Sequence, residues 1–517
     1  MSMLTHEDKR KVAMTLASVS RTSQGSADRL AYDQKKEEHI RNLNSAPEHE
    51  KIYHEEERNK QTKILVDTLS EFLIEKHSYE LKASMFDKEA RHTLVPIISS
   101  YIEKNKIIIN GFNETSKLVE HMTFEICGLG PIDEIIEREE GLNEIWINGL
   151  NPITGAIDIY YEKKGKKYKE EKARFRDQEH ANDIAKKIAR NGQQKLGTNM
   201  PLANVRYPDG RVNIVQEPVA TGGGGPYISF RIFPKDTLLP EDLVKSGSIS
   251  EEMNEFMELV VRYGGNSLFA GGTGSGKTTL LTAFVDHIPD DERIILMEDV
   301  EEARIRHKFP DKHIITEECK FNTEDPNANF NLSYLTRNAM RQKPDYMLYG
   351  EVRDGAAYDM LNGGITGHKI MGTAHSRSAP DTVQRLINMV QEHGSKMDTN
   401  SIGKWITQSL DIVYFQMKYE DNVRRASEII QLEDFENGKL KYRTIFKFVK
   451  DGTDENGKII GRFYRTGRIT RKFAQYLVDH GAPVHIVKRF LQAPEIPPVS
   501  ELFEGIDDED ENDSNVA

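Results

Sequence analysis

Gly271-Gly272-Thr273-Gly274-Ser275-Gly276-Lys277-Thr278 reads as a complete phosphate-binding loop, and the residues before it, Ser267-Leu268-Phe269-Ala270, read as the strand that feeds it. Gly271, Gly274 and Gly276 let the backbone turn tightly and aim successive N–H groups at a polyphosphate. The helix expected over residues 278–284 adds the partial positive charge of its N-terminus. Gly272, Thr273, Gly274, Ser275, Gly276, Lys277, Thr278 and Thr279 are therefore the candidate phosphate contacts. Lys277 is placed to reach the β- and γ-phosphates and the Thr278 hydroxyl to ligate Mg²⁺.

Composition bounds the setting. A chain of 517 residues exceeds one hydrophobic core and calls for several domains. Its net charge of −13, with 30% charged residues, argues against a protein whose main work is gripping nucleic-acid phosphates. No stable nucleic-acid partner is expected. The two cysteines, Cys127 and Cys319, lie far apart with no CxxC, which argues against a zinc ribbon or disulfide framework and for a reducing cytoplasm. The first residues, MSMLTHEDKRK, lack an apolar signal core, and no run approaches the roughly 18 apolar residues of a spanning helix. Any membrane role is expected to be peripheral.

Residues 1–118 read as a charged, helical N-terminal extension, with residues 28–63 a solvated arm. Ile64, Leu65, Leu69, Phe72, Leu73 and Ile74 then recur at helical spacing as a buried stripe. Residues 119–234 read as a small α/β domain, with strands around Glu144-Ile145-Trp146-Ile147, Ile157-Asp158-Ile159-Tyr160-Tyr161, Val212-Asn213-Ile214-Val215 and Tyr227-Ile228-Ser229-Phe230-Arg231, and a helix over residues 180–191. The glycines at 222–225 form a loop rather than a second phosphate site, since no lysine and no helix follow. Residues 235–248 read as a linker, 249–450 as a nucleotide-binding α/β domain, and 451–517 as a C-terminal segment whose Asp507-Asp508-Glu509-Asp510-Glu511 is an acidic tail.

A phosphate loop binds, whereas hydrolysis also needs a carboxylate to hold Mg²⁺ and another to orient or deprotonate water. Ile294-Ile295-Leu296-Met297 ends in Glu298-Asp299, and Tyr346-Met347-Leu348-Tyr349-Gly350 ends in Glu351. In doubly wound sheets ligands sit beyond the carboxyl ends of the strands, so both acids should converge near Lys277. His368 and His375 bracket another apolar strand, Ile370-Met371, expected beside the strand of Glu351. That placement favours His375 as a γ-phosphate sensor over a metal ligand, because no Cys or acid cluster accompanies it.

Four motifs in order now carry a family resemblance: residues 271–278, the acidic box Met297-Glu298-Asp299-Val300-Glu301, the segment Met340-Arg341-Gln342-Lys343-Pro344-Asp345 leading to Gly350-Glu351-Val352-Arg353-Asp354, and the box 366–375. They resemble the motifs of the type II/type IV secretion ATPases, nearest to the tight-adherence pilus and conjugation branch. Pro208-Asp209-Gly210-Arg211-Val212-Asn213, Ile228-Ser229-Phe230-Arg231 and Arg424-Arg425-Ala426-Ser427-Glu428-Ile429 extend the likeness to roughly residues 120–450.

The resemblance implies a RecA-like P-loop ATPase domain preceded by a small α/β (PAS-like) domain, with ATP and Mg²⁺ as ligands. It implies Glu298 as the residue that polarises water, Glu351 as Walker B acid and Mg²⁺ ligand, His375 as reporter of nucleotide state, and Arg211 and Arg231 as arginines closing over the γ-phosphate. Assembly as a hexamer, docked on a membrane platform at the inner face of the cytoplasmic membrane, is implied as well. Asp354 stands where the family often has Gly, and Ser376-Arg377 where it often has Ala-Asn. A motor for secretion, pilus assembly or conjugative transfer is the function expected. The alternatives are a RecA-like nucleic-acid translocase, for which Lys163–Lys167 and residues 462–472 are scattered basic candidates, and a non-hydrolysing nucleotide-gated scaffold.

Overall fold

The computed structural model describes residues 48–84, 87–207, 209–222, 224–233, 238–320 and 329–494. The expectations for residues 28–47 and for the acidic tail lie outside them. Contacts divide the chain into two units, Met1–Pro234 and Lys235–Ala517.

The first unit opens with helices Glu48–Lys76, Ser78–Ser84, Lys88–Lys104, Thr115–Cys127 and Pro131–Arg138. Leu65, Leu69 and Leu73 pack with Leu94, Ile98 and Ile102 and with Leu118, Met122 and Ile126 in one apolar cluster. The expected stripe is narrower than the sequence suggested. Ile74 is 61% exposed, because one residue past Leu73 is about 100° further round the helix.

Six antiparallel strands follow: β1 (Leu142–Leu150), β2 (Ile157–Lys163), β3 (Lys166–Lys169), β4 (Leu202–Tyr207), β5 (Gly210–Val215) and β6 (Tyr227–Ile232), in the order β3-β2-β1-β6-β5-β4. Alternation sends Ala203, Val205, Val212, Ile214, Ile228 and Phe230 to one face, where Ala181, Ile184, Ala185 and Ile188 of the Gln178–Asn191 helix meet them. This is the small α/β domain the sequence called for.

Its border with the helices is not at residue 118. The Thr115–Cys127 helix runs through that position, and a buried polar cluster ties both sides together. Arg91 Nη1 donates to Asp133 Oδ2 at 2.9 Å, with both side chains nearly free of solvent. The same oxygen accepts the Leu129 N–H at 2.6 Å. Lys187 Nζ donates to the carbonyls of Ile126 (2.8 Å) and Gly128 (2.6 Å), a cation at the C-terminal end of the Thr115–Cys127 helix where the dipole favours one.

The second unit is a nine-stranded sheet: β7 (Ser267–Gly271), β8 (Ile294–Glu298), β9 (Ile314–Glu318), β10 (Tyr346–Tyr349), β11 (Lys369–His375), β12 (Ile412–Lys418), β13 (Arg424–Glu436), β14 (Lys439–Thr453) and β15 (Ile459–Arg465). Their order is β15-β14-β13-β12-β7-β11-β10-β8-β9. Strands β12, β7, β11, β10, β8 and β9 pair in parallel, and β12 to β15 pair antiparallel. Every residue of β7, β8 and β10 is buried, as a parallel sheet covered on both faces requires. One core gathers Phe256, Leu280, Phe284, Phe473 and Phe490, and the other Leu335, Met360, Leu386 and Ile406. This is the RecA-like α/β architecture expected.

Two expected boundaries shift. Residues 235–248 are not simply a linker: Pro240–Lys245 is a helix whose Asp242 accepts the Leu239 N–H at 3.0 Å, and Leu243 enters the core. Residue 450 does not end the domain, since β14 continues to Thr453 and the helices Arg471–Asp479 and Val484–Leu491 pack on the same core through Phe473, Leu477, Val487 and Phe490.

Removing one partner of the buried Arg91–Asp133 pair leaves an uncompensated charge. In a Trp405→Phe background, where Trp146 reports on the first unit, Arg91→Ala is expected to lower its urea stability by about 3–5 kcal/mol, whereas Arg91→Met with Asp133→Leu recovers most of the loss.

Candidate active site

Strand β7 delivers the chain to the phosphate loop at a point of close backbone approach. A Cβ on Gly271 would overlap the carbonyl oxygen of Gln416 on β12 and crowd Ser275 Oγ, so only glycine fits. Gly276, at φ +90°, forms the left-handed N-cap of the Lys277–Phe284 helix. Gly272 and Gly274 have open space where a Cβ would stand, and Ser275 Oγ is buried without a hydrogen-bond partner. An open concavity, an orphaned hydroxyl and a helix start whose first N–H groups lack intrahelical acceptors suit a phosphate. Thr273 is exposed, while Thr278 and Thr279 are half-buried on the first helical turn. Thr278 and Glu351 offer hard oxygen donors of the kind Mg²⁺ takes alongside phosphate.

Lys277 Nζ donates to the Gly272 carbonyl at 3.0 Å and lies 3.3 Å from His375 Nδ1. Burial lowers its ammonium to about 8 against the pull of Glu351 and Glu302. His375 ends β11, which lies between β7 and β10, and its Nε2 is 3.4 Å from Glu351 Oε1. Burial and then Lys277 hold the imidazole below its usual range, against Glu351. His368, at the other end of β11, lies 3.3 Å through Nδ1 from the Gly363 carbonyl and takes no part.

Glu351 follows β10 and Gly350. Burial would raise its carboxyl, but the hydrogen bonds of Arg353, helped by His375 and Lys277, bring it below the usual range. Arg353 grips it with a fork, Nε to Oε1 at 2.7 Å and Nη2 to Oε2 at 2.6 Å. Glu298 closes β8 and is 3% exposed. Its Oε1 accepts the N–H groups of Ala303 (3.1 Å) and Glu302 (3.2 Å), while Oε2 is buried without a partner. Burial pushes this carboxyl up to about 8. Strands β8 and β10 pair directly, and a Cβ on Gly350 would come within 2.6 Å of Glu298 Cγ, so Gly350 lets the two acids lie side by side.

The structure thus brings Lys277, His375, Glu351 and Glu298 to one edge of the sheet. Arg211 and Arg231 belong to the first unit, where they are register partners on β5 and β6, and Arg231 Nε donates to Glu144 Oε1 at 2.7 Å. Sequence reasoning missed two contributors. Arg353 stands two residues beyond Glu351 in a quoted motif, and Arg424 Nε donates to the Gly274 carbonyl at 2.9 Å, bracing the loop from β13. Asp354 has φ +46°, so this chain places an aspartate where glycine would be unstrained.

A family model described as "Type II/IV secretion system protein" matches residues 139–431. An uncharacterized protein of Bacillus anthracis is 23% identical over 423 residues, covering 78% of this chain and 86% of that one. The type IV secretion system protein PtlH of Bordetella pertussis is 31% identical over 236 residues, 42% of this chain and 69% of PtlH. Among solved structures, the Legionella pneumophila ATPase DotB is 20% identical, covers 58% of this chain and 81% of its own, and has a TM-score of 0.41.

The buried Glu298 makes stability depend on pH. Its folded pKa is raised, so its contribution is full below the unfolded carboxyl pKa and is lost as pH rises through about 8. Glu298→Gln removes this titration. Urea denaturation of wild type and variant from pH 4 to 9 should show the variant gaining on the wild type by an amount on the order of 1–3 kcal/mol, levelling off above pH 8.

Proposed function

The chain belongs to the type II/IV secretion system protein family, and from that membership we propose that it is an ATP hydrolase powering protein secretion, pilus assembly or conjugative transfer through a membrane platform. The observation that carries this reading is the convergence of Lys277, His375 and Glu351 on neighbouring strand ends around the loop after β7.

Residues 272–279 cradle the phosphates, and Lys277, already reaching across the loop to Gly272, neutralises the β- and γ-oxygens. Thr278 and Glu351 would hold Mg²⁺, which would supply further charge neutralisation to the phosphates. In its ionised form Glu298 orients the attacking water and takes its proton as the new oxygen–phosphorus bond forms and the bond from the γ-phosphorus to the bridging oxygen breaks, leaving ADP and phosphate. His375 spans Lys277 and Glu351, so it senses whether the charge between them is present. Arg211 and Arg231 serve as γ-phosphate ligands, for which planar guanidinium geometry is suited.

The working assembly is a hexamer at the cytoplasmic face of the membrane. Among the described residues no helix is long and apolar enough to cross a membrane.

Steady-state ATP hydrolysis measured over a range of protein concentrations tests this. Specific activity should rise with concentration as rings form, and fall at least about a hundredfold in Lys277→Ala and in Glu351→Gln. Hydrolysis insensitive to both substitutions would overturn the assignment.

A further inference from the structure

The Walker-type acid of this site is already in the grip of a cation. Arg353 donates to both oxygens of Glu351, and its third nitrogen, Nη1, lies 3.9 Å from Asp299 Oδ2. The guanidinium therefore stands between two carboxylates on adjacent strand ends, Glu351 after β10 and Asp299 after β8. Its own side chain is 54% exposed and Asp299 is 40% exposed, so movement from one acid to the other crosses solvent and breaks no core packing. Glu351 is less exposed, at 23%, and is also flanked by His375.

A guanidinium forked onto both oxygens of a carboxylate competes with a divalent ion for its charge, because the two cations repel at such separations. Resting on the proposed ATPase reading, we infer that Arg353 is a gate on the metal-binding carboxylate: Glu351 serves Arg353 and Mg²⁺ in turn, and Asp299 receives the guanidinium when the metal takes Glu351. Arg353 is on this account a positioning residue. Keeping Glu351 forked between turnovers spares a half-buried anion from resting on His375 and Lys277 alone. The arrangement also ties metal entry to a side-chain exchange between β10 and β8.

The test is equilibrium binding of mant-ADP to the full chain, with Mg²⁺ and with EDTA, so that the Mg²⁺-dependent gain in affinity is read without turnover. In Arg353→Gln the competing cation is gone, and the gain should exceed that of the wild type by about fivefold or more. Arg353→Lys keeps the charge without the fork and should behave as the wild type, whereas a fork that merely orients Glu351 makes Lys resemble Gln and weakens the gain in both. Asp299→Asn withdraws the second acceptor and should shrink the gain. A Gln variant with an unchanged or smaller gain overturns the gate while leaving the nucleotide site standing. A wild type that binds no mant-ADP in Mg²⁺ overturns the ATPase reading and the gate with it.

Discussion

The contact on which the second unit depends is the backbone approach between Gly271 and Gln416. Strand β7 lies between β11 and β12, hydrogen-bonded to both, and at its last residue the neighbouring chain comes so close that no side chain can intervene. That constraint fixes where the loop leaves the sheet. The loop then turns through Gly276 into a helix whose start faces the ends of β11, β10 and β8. Those ends carry His375, Glu351 and Glu298, so a purely steric requirement at one glycine sets the geometry of an electrostatic site.

Within the site the charges form a continuous chain, from Lys277 through His375 and Glu351 to Arg353 and Asp299. Glu298 stands apart from it. Its side chain packs against Gly350, and its carboxyl is held by two backbone N–H groups on one oxygen and by nothing on the other. The environments drive the two acids in opposite directions, Glu351 towards the anion and Glu298 towards the neutral acid. Such a split is how two neighbouring carboxyl groups come to differ in protonation at the same pH.

Much of this was legible from local sequence. The loop announces itself by its glycines and lysine, and Glu298, Glu351 and His375 each end an apolar run, which in a parallel sheet means the same edge. What escaped were features with no local signature. Arg353 acts by a side-chain fork whose partner is fixed only when β10 and the following turn are folded. Arg91 and Asp133 are 42 residues apart and look like two surface charges until burial brings them together. The end of the domain has no local signal because the last residues of β14, from Lys450 to Thr453, present no apolar face and are held by the ladder to β15. Leu243 was lost in a segment whose Pro, Glu and Asp read as linker but are the first turn of a helix.

The antiparallel wing of the sheet has a mechanical meaning. Strands β13 and β14 are 13 and 15 residues long and so span about 43 and 50 Å, against about 17 Å for the five residues of β7. Through β12 they are bonded to β7 as part of one ladder, and Arg424 at the root of β13 also grips the phosphate loop. The wing is therefore clamped side by side with the strand that carries the loop, β13 being laddered to β12 from Arg424 to Gln431, so a shift of β7 is handed sideways to the wing as a body rather than absorbed at a joint.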